Sequence, residues 1–213
     1  MNRQLSQSGA RRFRSAIAVA LLTAGLAGCA HFGSTLPPAP AKAAQPDYKY
    51  IVGPGDSLNI IVWRNPELSA TVPVRPDGKF TSPLIEDMVA IGKNPTDLAR
   101  EIEEKLKKYI QDPIVTVIVQ GFAGPTSEQI RVVGQAAQPQ ALPYRQEMTV
   151  LDVMIAVGGI TEFASGNRAV LVRRSEGNKE YQLRLRDLLK GGDVSANVEM
   201  LPGDVIIIPE SWF

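Results

Sequence analysis

A chain of 213 residues, 44% hydrophobic and 21% charged, has the make-up of a globular protein with room for one domain or two small ones, which excludes a disordered or fibrous chain. The net charge of +1 is unevenly spread: Arg3, Arg11, Arg12 and Arg14 crowd the first 28 residues without an acid, leaving 19 bases against 22 acids in the remainder. That balance argues against nucleic acid as a partner, since gripping phosphates takes a positive patch.

The four arginines precede AIAVALLTAGLAGC, residues 16–29. A basic stretch followed by a short apolar run is the pattern of a secretory signal, and the run is shorter than the roughly 20 residues that span a bilayer. The sole cysteine, Cys29, closes the tetrapeptide Leu26-Ala27-Gly28-Cys29. This tetrapeptide resembles the lipobox of bacterial lipoproteins. The resemblance implies a signal peptide over 1–28, cleavage before Cys29 and a diacylglycerol on its sulfur; the alternative is an ordinary apolar residue in a signal helix. Acylation would leave no free thiol for disulfides or thiolate catalysis. Ala30, not an acid, follows. By resemblance to Gram-negative lipoproteins, that implies sorting to the outer membrane, facing the periplasm. Each buried CH₂ of an acyl chain contributes about 0.8 kcal/mol, so several chains anchor stably. Residues 29–46 are rich in Pro and Ala without hydrophobic period and read as a tether, about 50 Å long if extended as polyproline II. The only histidine, His31, lies there and reads as inert.

The first folded unit is expected over 47–122. YKYIVGPGDSLNIIVW reads as strand, turn, strand. Pro54-Gly55 suits a type II turn, and Asp56 can accept a local backbone N–H. Asp77-Gly78 signals a hairpin-type turn between Val72/Val74 and Phe80. Asn94 then caps a helix with Pro95 in its first position, running to about Tyr109 on a stripe of Leu98, Ile102, Leu106 and Tyr109. Glu101–Lys105, Glu103–Lys107 and Glu104–Lys108 stand four apart in the favourable order and read as a solvated outer face. Asp112-Pro113 stops the helix, and IVTVIVQ is a strand.

The second unit is expected over 127–213. EQIRVVGQ is a strand ending in a glycine turn, and Pro139 and Pro143 bracket an extended segment. Thr149 caps a helix with Val150, Leu151, Met154, Ile155 and Val157 as its apolar residues, stopped by paired glycines. AVLVRR and KEYQLRL flank Glu176-Gly177-Asn178 as a hairpin, and LRDLLKGGD makes a short helical turn. Pro202-Gly203-Asp204 repeats the earlier turn and launches a last strand over 205–208. The fold class is α+β: a β-rich domain with one helix, then a β-grasp-like domain.

The order of these pieces resembles the bacterial polysaccharide biosynthesis/export family. The pieces are a lipobox, a Pro-rich tether, a strand motif around Gly-Pro-Gly-Asp-x-L-x-I-x-V-W, a P-D-G turn, a helix then D-P-x-V-x-V, L-D-V-x-x-x-x-G-G, and L-x-P-G-D-x-I-x-I-P. The resemblance covers nearly all of 47–210 and makes the first unit an export domain and the second a soluble-ligand-binding β-grasp (SLBB) domain, with the exosortase (PEP-CTERM) associated subtype as a further suggestion. Gln135-Ala136-Ala137-Gln138-Pro139 departs from the usual apolar step. The resemblance implies a periplasmic ring oligomer conducting exopolysaccharide from an inner-membrane polymerase and chain-length co-polymerase. Longer members add a membrane-crossing C-terminal helix. No segment here reads as one, so the lipid is expected to be the only anchor and a separate outer-membrane β-barrel to complete the route.

No catalytic residue, metal or cofactor is expected. Asp56 and Asp204 as a carboxylate pair would suit a hydrolase or lyase, but each carries its own turn signal. Arg64, Arg75, Arg131 and Arg145 are candidate contacts for an acidic polymer, with ordinary surface charge as the competing reading. A non-conducting glycan-binding or scaffold lipoprotein remains the alternative function.

Overall fold

A computed structural model describes residues 36–42 and 48–212. The signal peptide, the Leu26-Ala27-Gly28-Cys29 lipobox and His31 lie outside the described residues. Among the described residues ten strands and three α-helices form two lobes, each around its own hydrophobic cluster. The class is α+β.

The amino-terminal lobe holds β1 (Ser57–Val62), β2 (Ala70–Pro73), β3 (Lys79–Ser82), β4 (Ile85–Val89), α1 (Pro95–Leu106) and β5 (Val115–Gly121). β1 is the centre of an antiparallel sheet ordered β2-β1-β5. Strand alternation sends Leu58, Ile60 and Val62 inward, where they meet Leu98, Ile102 and Leu106 of α1. The opposite face is open and carries Ile61 and Ile118, 39% and 45% exposed.

Four expectations are corrected here. Residues 48–53 form no strand; Val52 instead donates to Lys93 O at 2.9 Å and accepts from Gly92 N at 3.2 Å. The Asp77-Gly78 turn does reverse the chain, with Arg75 N–H bonded to Lys79 O at 2.9 Å, but Phe80's strand pairs forward with β4 as a two-stranded sheet. Helix α1 ends at Leu106, so Tyr109 falls in a following turn and is 58% exposed. None of the three i,i+4 pairs forms. Glu103 turns inward instead, accepting from Val115 N–H at 2.8 Å and pairing with Arg100. The strand after the helix leaves a buried N–H that no backbone partner meets, and a carboxylate is drawn in to satisfy it.

The carboxy-terminal lobe holds β6 (Ile130–Gly134), β7 (Ala141–Leu142), α2 (Val150–Ala156), β8 (Ala169–Arg173), β9 (Lys179–Leu183), α3 (Leu185–Leu189) and β10 (Val205–Ile208). Its five-stranded sheet runs β7-β6-β10-β8-β9, with β6 and β10 parallel and the other neighbours antiparallel. Thr149 and Asp152 form a reciprocal capping box at the start of α2. Thr149→Ala is expected to cost about 1 kcal/mol in denaturant unfolding. Val150, Met154 and Val157 are buried as expected and Val153 joins them, whereas Ile155 faces outward and is 71% exposed.

The Pro/Ala-rich stretch is not wholly a free tether. Residues 37–39 lie along β9, with Gln182 N–H bonded to Pro37 O at 2.9 Å, and Ala41 O accepts from Glu199 N–H, ahead of β10, at 3.1 Å. Among the described residues no helix is long and apolar enough to cross a membrane.

Candidate functional site at the lobe junction

Both Pro-Gly-Asp stretches build the same device. In Gly53-Pro54-Gly55-Asp56, Asp56 N–H bonds to Gly53 O at 3.3 Å; in Leu201-Pro202-Gly203-Asp204, Asp204 N–H bonds to Leu201 O at 3.1 Å. Gly55 and Gly203 take φ of 90° and 82°, which a type II turn demands of its third residue. Each carboxylate folds back to accept the N–H of the first turn residue, Gly53 or Leu201, at 2.9 Å. Both aspartates are fully buried, and each turn delivers the chain into a buried strand.

The two sites differ in what else the carboxylate holds. Asp56 Oδ1 accepts the N–H groups of Ala123 (2.8 Å) and Gly124 (3.0 Å), and Oδ2 also takes the Tyr50 hydroxyl at 2.6 Å. Four donors therefore converge on one buried carboxylate, two of them from the linker between the lobes. Around this clamp sit Tyr48, Tyr50, Phe122, Glu128 and Tyr144, lining a small crevice. Tyr50 packs edge-on against Phe122 at 5.5 Å, and Tyr48 against Tyr144 at 5.0 Å. Tyr48 donates to Glu128 at 2.9 Å and packs against the carboxy-terminal core, although it precedes the first lobe in sequence. Burial first, then hydrogen bonding to an acid, holds both hydroxyls (Tyr48 to Glu128, Tyr50 to Asp56) well above the ordinary tyrosine value, so both remain donors. Gly53 meets the Gly124–Pro125 backbone so closely that an added Cβ would lie 2.1 Å from Gly124 C. The junction is thus packed and bonded as one piece.

Asp204 is bound instead to Arg173, whose Nε lies 3.4 Å away; both are fully buried. Arg173 also donates to Glu199 O at 2.8 Å and faces the Tyr181 ring at 5.7 Å. Burial pushes the Asp204 carboxyl up to about 6, against the lowering pull of the Leu201 N–H and Arg173. Asp56 and Asp204 each serve their own turn, and no bond joins them among the described residues.

The four candidate polymer contacts sit on separate elements. Arg64 follows β1 with φ of 63° and is exposed. Arg75 is tied to Asp77 and Asp87, at 3.0 and 2.5 Å. Arg131 on β6 donates to Thr126 O at 3.0 Å, and Arg145 is exposed in the loop after β7. Asp77 also caps its own turn by accepting from Lys79 N–H at 3.2 Å, with Gly78 at φ of 77°. No group of His, Cys, Asp or Glu suited to a metal occurs among the described residues. Tyr48, Tyr50, Glu128 and Arg173 were not singled out from sequence. Arg173 was readable there, because it continues the inward parity of Ala169 and Leu171 on β8.

Residues 44–120 match the model of the polysaccharide biosynthesis/export protein family, and residues 128–208 match the SLBB domain. The chain is 25% identical over 186 residues to the "EPS I polysaccharide export outer membrane protein EpsA" of Ralstonia nicotianae, covering 76% of this chain and 47% of that protein. It is 26% identical over 181 residues to the protein of the same name from Ralstonia solanacearum, covering 74% and 47%. The chain spans about half the length of these curated relatives.

Proposed function

The chain belongs to the polysaccharide biosynthesis/export family, and from that premise we propose that it is a non-enzymatic component of an exopolysaccharide export conduit. In this reading Cys29 carries the lipid that holds the protein to the outer membrane, facing the periplasm. Copies of the chain close into a ring that passes polysaccharide between an inner-membrane co-polymerase and an outer-membrane barrel.

The observation that carries the reading is the pairing of two matched domains, in family order, across a junction with no slack. Ala123 and Gly124 fix the linker to Asp56 of the first lobe, and Tyr48 bonds to Glu128 and packs on Tyr144 at the second. A ring closes only if every copy presents its contact surfaces at the same angle, and a rigid junction supplies that constancy. Open apolar surface supports self-association as well. Ile61 and Ile118 lie on the free face of the first sheet, while Val133 and Ile207, neighbours in register on β6 and β10, are 43% and 39% exposed.

Native mass spectrometry of the acylated protein, gently extracted in detergent, tests this. A discrete closed multimer is expected. A monomer would overturn the conduit and favour a glycan-binding lipoprotein. Ile118→Glu places a charge on the open face without touching the core. It is expected to leave the melting curve nearly unchanged while abolishing the multimer in the same spectra.

A further inference from the structure

The β3–β4 hairpin turns on Pro83 and Leu84, since Ser82 at the end of β3 pairs with Ile85 at the start of β4. Pro83 presets φ at the first of these positions. Leu84 takes φ of 62° at the second, where a tight turn favours glycine or asparagine. A left-handed backbone brings Cβ against the following carbonyl oxygen, a clash that glycine escapes. Among the described non-glycine residues with positive φ, Arg64, Asp87, Asp112, Glu147 and Asn178 are polar or charged, and Leu84 alone is apolar. It is also 49% exposed and belongs to neither hydrophobic cluster. Leu84 therefore combines backbone strain with bare apolar surface, and nothing in its own chain offsets either.

A matching surface lies on the other side of the same lobe. Phe80, Ile85 and Met88 of the hairpin share a core with Leu58, Ile60 and Val62, so the hairpin sits on the covered side of the β2-β1-β5 sheet. The bare side carries Ile61 and Ile118. Its ladder continues past β1, with Trp63 N–H bonded to Ile114 O at 2.9 Å and both side chains exposed. Charge matches as well. Glu86 near the leucine and Arg64 beside the tryptophan are exposed, and neither has an ion-pair partner among the described residues.

We infer that Leu84 of one copy is a knob that seats on the Ile61, Trp63 and Ile118 face of the next copy, with Glu86 against Arg64. Knob and socket lie on opposite sides of one lobe, so each copy gives one contact and receives another. Such a head-to-tail contact closes into a ring when its rotation allows. Seating the knob removes its apolar surface from water, which offsets the strain of holding a leucine at that turn. Arg64 is then taken up between copies and not by polymer. The inference rests on the ring reading above and names its contact.

Native mass spectrometry of the full-length acylated protein in detergent, at low ionic strength so that surface charge is little screened, reads the contact. Leu84→Gly relaxes the turn and removes the knob, and is expected to convert the multimer to monomer. Its unfolding midpoint is expected to equal or exceed that of Ile118→Glu, which is monomeric for want of the socket. A Leu84→Gly protein that keeps the multimer would overturn the inference. So would one that unfolds well below Ile118→Glu, because the leucine would then be propping its own lobe. Leu84→Asn keeps a polar side chain that tolerates the left-handed backbone and should behave like Leu84→Gly. Reversing one charge, by Glu86→Arg or Arg64→Glu, is expected to shift the multimer toward monomer, and both reversals in one chain should restore it. Single reversals without effect, or a double variant no better than they are, would overturn the pairing. The two readings fail separately: a monomeric wild type refutes the ring itself, whereas a wild-type multimer that Leu84→Gly leaves whole refutes only the knob.

Discussion

Asp56→Ala is expected to cost about 4–6 kcal/mol in denaturant unfolding, estimated from four donors that lose their acceptor at roughly 1–3 kcal/mol each, with the partly exposed ones regaining water. That is a large share of the 5–15 kcal/mol typical of a folded protein. The first effect should be local, because two of the four donors belong to the linker. Limited proteolysis within residues 122–127 is expected to accelerate before global unfolding does. Asp56→Asn should recover only part of the loss, since the amide keeps one accepting oxygen and turns an NH₂ toward donors. Tyr50→Phe removes a single bond and should cost about 1 kcal/mol. A catalytic aspartate would behave in the opposite way, its Asn variant being stable and inactive. An unchanged unfolding midpoint for Asp56→Asn would therefore refute the clamp.

The turn that Asp56 closes was legible because its chemistry is local. Pro presets one dihedral, Gly permits the positive one, and the carboxylate reaches back three residues. The same holds for the Asn94 and Thr149 caps, each satisfied within three positions. Long-range partners were not legible. Nothing near position 56 in sequence announces that Ala123 and Gly124 will donate to it, 67 and 68 residues on. The docking of residues 37–39 on β9 hid for the same reason: a Pro-rich segment without periodicity reads as linker, and only the folded sheet reveals an edge that needs closing. Glu103 was misread because spacing four from a lysine is a weak surface signal, which a buried unpaired N–H at Val115 overrides. The apolar strands β1, β8 and β10 were readable throughout, since burial on one face imposes a period of two that no distant partner alters.

Arg173→Met should be the other severe change, costing about 3–5 kcal/mol at pH 7, the usual penalty for stranding a buried charge by removing its partner. The cost is expected to depend on pH in a definite sense. Folding raises the Asp204 carboxyl to about 6 from an ordinary 3.8, so the folded chain holds this proton more tightly than the unfolded chain. Stability contributed by the group is therefore fully present below about pH 4 and is lost as pH rises through 6, by on the order of 3 kcal/mol. At pH 5 Asp204 is largely protonated and needs its arginine less, so the Arg173→Met penalty should shrink there. The groups that set this balance are Arg173 itself, Glu176 at 3.8 Å from its Nη1, and the Leu201 N–H. Pairing Arg173→Met with Asp204→Asn removes both charges while leaving an oxygen for the Leu201 N–H, and should regain most of the loss at pH 7. Urea unfolding of the wild type, both single variants and the double variant at pH 5 and 7 closes the cycle. Additive costs at pH 7, or an Arg173→Met cost that does not change between the two pH values, would show that the pair is not coupled and that Asp204 does not titrate in this range. A coupled result would place the second Pro-Gly-Asp turn apart from the first. One carboxylate is held by neutral donors that fasten the first lobe's turn to the linker, the other by an arginine whose value depends on the pH around it.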